Sequence, residues 1–289
     1  MKLKWVSPEG TEIPIETPSR TTPNPTYIYE TSSGFGGSDS VSSLQRGAYQ
    51  DGETLLSVYL SPRRLSVTFT ITAESLIALQ SRRKMISRAF NPRAGIGTLI
   101  WIQEDGSEYA LNCIADSGSP IFTTSAGDTW QQVIVDIMAP DPCWYSYPAD
   151  ELHLAGLTGG AAFPIEFPAE FATQGATRAV SNLGGIPAPV QISISGPITN
   201  PVIENLTSGQ ALSLTLDVAA GESIYIDTTY GALKCRLIAS NGTQTNAMPY
   251  LSDDSEFWQL EPGENILTYS ATSGSAEVVV NFASRYTGL

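Results

Sequence analysis

Gly196-Pro197-Ile198-Thr199-Asn200-Pro201-Val202-Ile203-Glu204-Asn205, followed by Leu212 to Val218 and by Gly221-Glu222-Ser223-Ile224-Tyr225-Ile226-Asp227-Thr228, is the stretch whose reading decides the fold of this 289-residue chain. Gly196-Pro197 and Asn200-Pro201 punctuate it, because proline fixes its own φ and pushes the residue before it out of the helical region. Leu212, Leu214, Leu216 and Val218 alternate with Ser213, Thr215 and Asp217, the period of a half-buried strand. Ala220-Gly221-Glu222 then turns the chain, and Ile224 and Ile226 alternate with Ser223, Tyr225 and Asp227 on a returning strand. These features predict a β-meander within a sandwich.

Working outward, the whole composition agrees with a globular β protein. Hydrophobic residues make up 42% and charged residues only 15%, too apolar for a disordered chain. The 19 Pro and 25 Gly between short alternating runs favour strands and turns over long helices. The length fits two domains. A net charge of −14 is unevenly shared: residues 1–142 hold 11 Lys/Arg against 15 Asp/Glu, residues 143–289 hold 4 against 14. Such a surface repels phosphate backbones, so nucleic-acid binding is not expected, although DNA could slide past it without sticking. Cys113, Cys143 and Cys235 are odd in number and far apart, which signals neither a disulfide framework nor a zinc site and fits a reducing cytoplasm. No apolar run approaches a membrane span, and Met1-Lys2-Leu3-Lys4-Trp5 leads into no signal-peptide core, so a soluble chain with no membrane partner is expected.

In chain order, Leu3 and Trp5, the turn Ser7-Pro8-Glu9-Gly10, and Ile13 and Ile15 predict a hairpin whose second strand, carrying Pro14, lies at an edge. Residues 17–54 read as Ser/Thr/Gly/Pro-rich loop around one short strand, Tyr27-Ile28-Tyr29. Gly34-Phe35-Gly36-Gly37 within it lacks the lysine of a phosphate loop and reads as flexible. Leu55 to Leu60 is a strand. After Pro62-Arg63-Arg64, the residues Leu65, Val67, Phe69 and Ile71 point one way. Leu76, Leu79, Ile86 and Phe90 then fall at helical spacing, with Thr72 as N-cap and Asn91-Pro92 as the stop. Leu99–Ile102 and Tyr109–Cys113 flank the hairpin turn Glu104-Asp105-Gly106-Ser107. Trp130 to Met138 is a long strand ended by Ala139-Pro140-Asp141-Pro142, which places a domain boundary between 142 and 143. Beyond it, Phe163 to Phe171 is a Pro-broken apolar segment, and Val190 to Ile194, Ala232 to Ile238 and Val278 to Phe282 are strands. Glu261-Pro262-Gly263-Glu264 is a type II turn.

Few residues could carry catalysis. His153, flanked by Leu152 and Leu154, reads as a surface histidine, and as the single histidine it leaves no Ser-His-Asp or Cys-His pairing. Asp253, Asp254 and Glu256, or Glu104 and Asp105, lie in polar turns where both members of a pair would stay ionised, against the need for one desolvated acid. These carboxylates read instead as acidic loops or a weak calcium site. Arg82, Arg83, Lys84 and Arg88 crowd the second half of the helix. They read as a solvated helix end complementing the dipole, or as a cationic face docking on an acidic neighbouring subunit. Trp144 and Tyr145 after the boundary, with Trp258 on a strand, read as core packing or as an aromatic platform for a sugar ring.

The string Asn200-Pro201-x-Ile203-x-Asn205, with Gly209-Gln210, Gly221-Glu222 and Ile226-Asp227-Thr228, resembles the C-terminal domain of siphophage distal tail (Dit) proteins. Phe257-Trp258-x-Leu260-x-Pro262-Gly263-x-Asn265 and the closing Arg285-Tyr286-x-Gly288 reinforce it. Phe90-Asn91-Pro92, Gly97-x-Leu99 and Pro140-Asp141-Pro142 extend the likeness towards the N-terminus. The resemblance implies a mainly β chain with an N-terminal split-barrel-like belt domain carrying one helix (1–142) and a C-terminal galectin-like β-sandwich (143–289). It implies a structural, non-enzymatic virion protein without cofactors, assembled in the host cytoplasm and placed at the distal end of the tail. There a homohexameric ring joins the tail tube protein to the tail-tip hub, leaves a channel for DNA and offers a mount for receptor-binding or side-fibre proteins. The His-x-Asn-x-Arg constellation of sugar-binding galectins is missing, since His153 is followed by Leu154-Ala155-Gly156. The alternative function is a carbohydrate-binding module using the Trp144 or Trp258 platform.

Overall fold

A computed structural model describes residues 1–116, 118–155, 175–274 and 276–289. The chain divides into two compact units, 1–147 with 286–289, and 148–285. The boundary thus falls five residues later than the proline run indicates, and the last four residues belong to the first unit. Pro140 and Pro142 do end a strand, but the chain then re-pairs within the same unit before it leaves.

Unit 1 contains β1 (Lys2–Val6), β2 (Glu12–Glu16), β3 (Tyr27–Ser33), β4 (Ser40–Gln45), β5 (Thr54–Leu60), β6 (Arg63–Thr72), α1 (Leu76–Ala89), β7 (Gly97–Ile102), β8 (Glu108–Ala115), β9 (Ile121–Ala126), β10 (Trp130–Ala139) and β11 (Trp144–Tyr147). Its sheet runs β11-β8-β7-β1-β2-β3-β6-β10-β9 and closes on itself where Ile137 and Met138 of β10 pair with Ala115 and Ile114 of β8. Closure removes the sheet's own free edges from the barrel wall and leaves β9 and β11 as flanges. The inward positions are those the alternation predicts: Leu3, Trp5, Ile13, Ile15, Leu65, Val67, Phe69 and Ile71 are all buried. β2 is not a free edge, since it also meets β3, but only at Glu16↔Ile28, so Pro14 interrupts no second ladder.

The helix α1 is capped by Ser75, whose side chain accepts from the Ala78 backbone N–H, and not by Thr72, which ends β6. Leu79, Ile86 and Phe90 are buried, while Leu76 is exposed. Phe90 stacks on Trp5 with ring centroids 4.7 Å apart, and the Trp5 indole donates to the Ala89 carbonyl at 2.9 Å. Asn91 then caps a short 3-10 turn over Pro92–Ala94. Three strands of unit 1 are not legible in the sequence: β4, composed largely of serine, β9, where Thr and Ser dominate, and β11, which reads as an aromatic cluster.

Unit 2 contains β12 (Asp150–Ala155), β13 (Gly175–Asn182), β14 (Val190–Ser195), β15 (Ile198–Thr199), β16 (Val202–Asn205), β17 (Gln210–Ser213), β18 (Asp217–Val218), β19 (Ser223–Asp227), β20 (Lys234–Ile238), β21 (Gln244–Asn246), β22 (Gly263–Ser270), β23 (Ser273–Gly274) and β24 (Glu277–Phe282). A six-stranded sheet, β12-β24-β14-β19-β20-β21, and a four-stranded sheet, β13-β22-β16-β17, share one core, which makes the unit a β-sandwich. The Phe163–Phe171 segment lies outside the described residues.

The organising stretch is a crossing and not a meander. Residues 212–218 split into β17, in the four-stranded sheet, and β18, which pairs with β15, and the returning β19 enters the opposite sheet between β14 and β20. Alternation was right about burial, since Leu212, Leu214, Val218, Ile224 and Ile226 are all interior. It was silent on pairing partners. Gly196 is required here by close approach, because a Cβ would collide with the Ala219 and Val218 carbonyls. Trp258 lies on no strand: it is a buried plug on an irregular segment before Leu260, which bridges to Ala188. Finally β25 (Arg285–Tyr286) carries the chain back beside β11.

Candidate assembly surface

The feature of unit 1 that demands a partner is the hairpin β4–β5. The two strands pair only with each other, from Ser40↔Leu60 to Gln45↔Thr54, with a bulge after Ser43. Both outer edges are therefore unpaired among the described residues. Neither face is covered: Val41 (61% exposed), Leu44, Leu55, Leu56, Val58, Tyr59 (68%) and Leu60 all stand in solvent. The pair Val41↔Tyr59 faces one way and Ser42↔Val58 the other, so both faces carry apolar residues. A two-stranded hairpin with two wet faces is marginal alone. Burying these seven side chains would contribute on the order of 10 kcal/mol before association costs.

Its tip is ordered by Gln50, whose side chain accepts from the Gly47 N–H at 2.9 Å and donates to the Thr54 hydroxyl at 3.0 Å. Arg46 turns inward to the Gln50 carbonyl at 3.2 Å. Tyr49, at φ 61, is fully exposed, and the carboxylates Asp51 and Glu53 are exposed beside it.

The root is rigid because of Arg63, the residue that opens β6. Its guanidinium is buried, at 3% exposure, and all five of its N–H groups are used. Nε donates to Pro142 O at 2.7 Å. Nη1 donates to Gly34 O at 2.8 Å and Gly36 O at 2.5 Å, and Nη2 to Ser38 Oγ and Thr287 O, each at 2.6 Å. Burial pulls its pKa down, with the nearby Cys143 and Asp39 opposing the shift. Its carbon also lies 5.9 Å over the Trp144 ring. The Gly34-Phe35-Gly36-Gly37 segment is consequently an anchored loop, not a flexible one. It presents carbonyls to a cation, the opposite polarity to a phosphate loop, and Phe35 packs against Trp101 and Trp144.

The helix cations are mostly engaged within the chain. Arg82 donates to the Thr72 carbonyl, Arg88 pairs with Glu9 at 2.8 Å, and Arg83 lies 4.7 Å over the Phe122 ring. Lys84 is exposed and without a partner among the described residues.

The aromatic platform is not formed. Trp144 and Trp258 are buried, at 0% and 1% exposure, and Tyr145 donates to the Asp141 carboxylate. No tryptophan face at those positions can meet a sugar ring, because each fills a core. The candidate acids are also placed against catalysis. Asp253, Asp254 and Glu256 are exposed, and hydrogen bonds from the Ser107 side chain and backbone hold Asp105 below the usual carboxylate range. His153 is exposed between Glu151, at 2.9 Å, and Glu277, at 3.1 Å. Among the described residues no group of three His, Cys, Asp or Glu side chains gathers as a metal site, and no helix is long and apolar enough to cross a membrane. All three cysteines are buried and none is in a disulfide.

Sequence reasoning missed the hairpin as a site. The available signal was Leu55-Leu56-Ser57-Val58-Tyr59-Leu60, an apolar run without alternation next to a serine-rich segment that has no apolar face to cover it.

The motif residues of unit 2 prove to be structural. Asn265 donates to Glu261 O at 2.7 Å and Gly263 O at 3.1 Å and accepts from Glu261 N at 2.9 Å, fixing the Pro262-Gly263 turn. Buried Asn205 links to it at 3.2 Å. Thr228 brackets Val190 through both its hydroxyl and its N–H.

Two protein families match the chain: the phage tail protein RIFT-related domain over residues 26–141, and the siphovirus-type tail component, C-terminal domain, over residues 184–286. Among solved structures the chain is similar to SPP1 Dit (gp 19.1), described as a paradigm of the hub adsorption apparatus in phages infecting Gram-positive bacteria. The TM-score is 0.64 at 15% identity, covering 98% of each chain. It is also similar to a chain of the phage p2 baseplate in its activated conformation. With Sr the TM-score is 0.54 at 11% identity, and with Ca 0.53 at 13%, each covering 96% of this chain and 97% of that one. At these identities the likeness is one of fold. None of the curated proteins matches the sequence.

Proposed function

The chain belongs to the siphophage distal tail protein family, a structural component of the phage tail, and from that premise we propose that six copies close into a ring. The ring joins the tail tube to the tail-tip hub and leaves an axial channel for DNA. The observation that carries this reading is the hairpin β4–β5, whose two apolar faces and two open edges have no cover among the described residues. Contiguous exposed apolar surface of this kind marks an interaction site. A strand pair with open edges also pairs readily with another chain. The Arg63 cluster supports the same reading, since it fixes the root from which the hairpin projects.

The function is mechanical and not enzymatic. Supporting this are the exposed positions of Asp253, Asp254, Glu256 and the lone histidine, while the one buried carboxylate among the described residues, Asp227, accepts a hydrogen bond from the Thr229 backbone N–H. The net charge of −14 suits a channel wall that DNA traverses without binding. Assembly takes place in the host cytoplasm, which suits three buried cysteines outside any disulfide. The buried positions of Trp144 and Trp258 withdraw support from the carbohydrate-binding alternative.

Light scattering across a concentration range, with negative-stain images of the same sample, tests the proposal. The expected result is a mass of six copies and rings with an open centre. Protein that stays monomeric at every concentration, together with tail tips that lack a ring of this chain, would overturn it.

A further inference from the structure

A ring needs an acceptor for whatever each copy donates, and unit 1 carries one of complementary chemistry. Gln80, Arg83, Lys84 and Ser87 stand at i, i+3, i+4 and i+7 of α1, one face of the helix, above Phe122 of β9. Together they line a cavity of about 410 Å³, within the ~300–1,000 Å³ range of pockets that receive a ligand. Among the described residues no acid lines it, although the chain has 29 acids to 15 bases. The two arginine neighbours are engaged elsewhere, Arg82 on the Thr72 carbonyl and Arg88 on Glu9, so the charge this face presents is that of Lys84 and of Arg83, whose guanidinium lies over the Phe122 ring without a carboxylate partner among the described residues. Beside the cavity, β9 pairs only with β10, leaving its outer edge open among the described residues.

The hairpin tip is the matching surface. Tyr49, Asp51 and Glu53 are exposed, neither carboxylate is in an ion pair among the described residues, and Arg46 is turned in to the Gln50 carbonyl. We infer that the tip of one copy docks in the α1–β9 cavity of the next, with the Tyr49 ring against Phe122 and Asp51 and Glu53 facing Arg83 and Lys84. Donor and acceptor are different patches of the same chain, so the contact is head-to-tail and propagates around a closed ring, where a self-complementary patch would stop at a dimer. The inference rests on the ring reading above.

The test uses the full chain with Glu53→Cys and Lys84→Cys combined, oxidised mildly in assembled protein. The three native thiols are buried and do not compete. A cross-linked ladder on denaturing gels, ending in one uppermost band and lacking in either single variant, is the expected result. In parallel, Lys84→Glu should weaken association about tenfold or more by placing like charges together, and Lys84→Glu with Glu53→Lys should restore it. If wild-type protein forms rings but no cross-link appears and Lys84→Glu associates normally, the docking is wrong and the ring stands. Cross-linking that halts at dimers overturns the head-to-tail contact. A wild-type chain that forms no ring, alone or in tail tips, overturns both.

Discussion

Arg63 is a buried cation answered by four carbonyls and one hydroxyl, with no carboxylate at ion-pair distance among the described residues. Arg63→Met leaves those acceptors unpaired and should lower the urea-unfolding free energy of unit 1 by about 3 kcal/mol or more. Arg63→Lys should recover only part, because an ammonium offers three donors and no planar fork. In unit 2, Asn265→Asp is the isosteric test: it turns two donors into acceptors facing the Glu261 and Gly263 carbonyls. A loss of about 2–3 kcal/mol, read from the same unfolding curves, is expected. Burial pushes the Cys113 thiol from near 9.0 up to about 12 and Cys235 up to about 11. Above pH 9 the unfolded chain ionises thiols that the folded chain keeps protonated, so the folded state binds more protons. Stability is therefore complete below pH 9 and falls as pH rises towards 12, by up to about 1.4 kcal/mol per pH unit for each group. Urea midpoints measured between pH 8 and 10.5 should show this decline, less steeply in Cys113→Ala.

The elements divide by how much of their fate is local. The helix α1 is written in the chain: Ser75, the spacing of Leu79 and Ile86, and Pro92 beyond its end specify start, buried face and stop. Ser75→Ala should cost about 1 kcal/mol, read as a lowered melting temperature without loss of assembly. The hairpin β4–β5 behaves oppositely, because its apolar residues stay exposed among the described residues and join neither core. Replacing Leu55, Val58 and Tyr59 together by Ser should leave the circular dichroism spectrum and the melting temperature almost unchanged while abolishing the ring in light scattering. Equal losses of fold and assembly would mean that the hairpin is part of the monomer core.

At the scale of the whole molecule, unit 2 is inserted between Tyr147 and Tyr286 of unit 1. The final residues complete the first unit: Thr287 O accepts from Arg63, Tyr286 meets Tyr109 edge-on at 5.3 Å, and Leu289 packs against the barrel core. Deleting 286–289 should thus destabilise the unit farther away in sequence. A loss of roughly 2 kcal/mol corresponds to about 4–8 °C in the melting temperature of unit 1. Hydrogen exchange should quicken across β8, β11 and the 34–38 loop and stay unchanged in β14, β19 and β24.

Side-chain alternation was sufficient to determine which strand residues turn inward. Leu65 to Ile71, Val190 to Ile194 and Ile224 to Ile226 are buried as the period of two requires, because the pleat alone assigns each side chain to a face. The Asn-Pro and Pro-Gly motifs likewise carried the resemblance to the tail family. Only the tertiary structure decided which strands pair, because pairing is a contest between segments distant in sequence. It sent β17 and β19 to opposite sheets, drew Tyr286–Leu289 back to the barrel and gathered Gly34, Gly36, Pro142 and Thr287 around Arg63. It also decided what stays uncovered. Leu55 to Leu60 has the composition of a core strand, and nothing local distinguishes an apolar strand that the same chain will bury from one it leaves open for a neighbour.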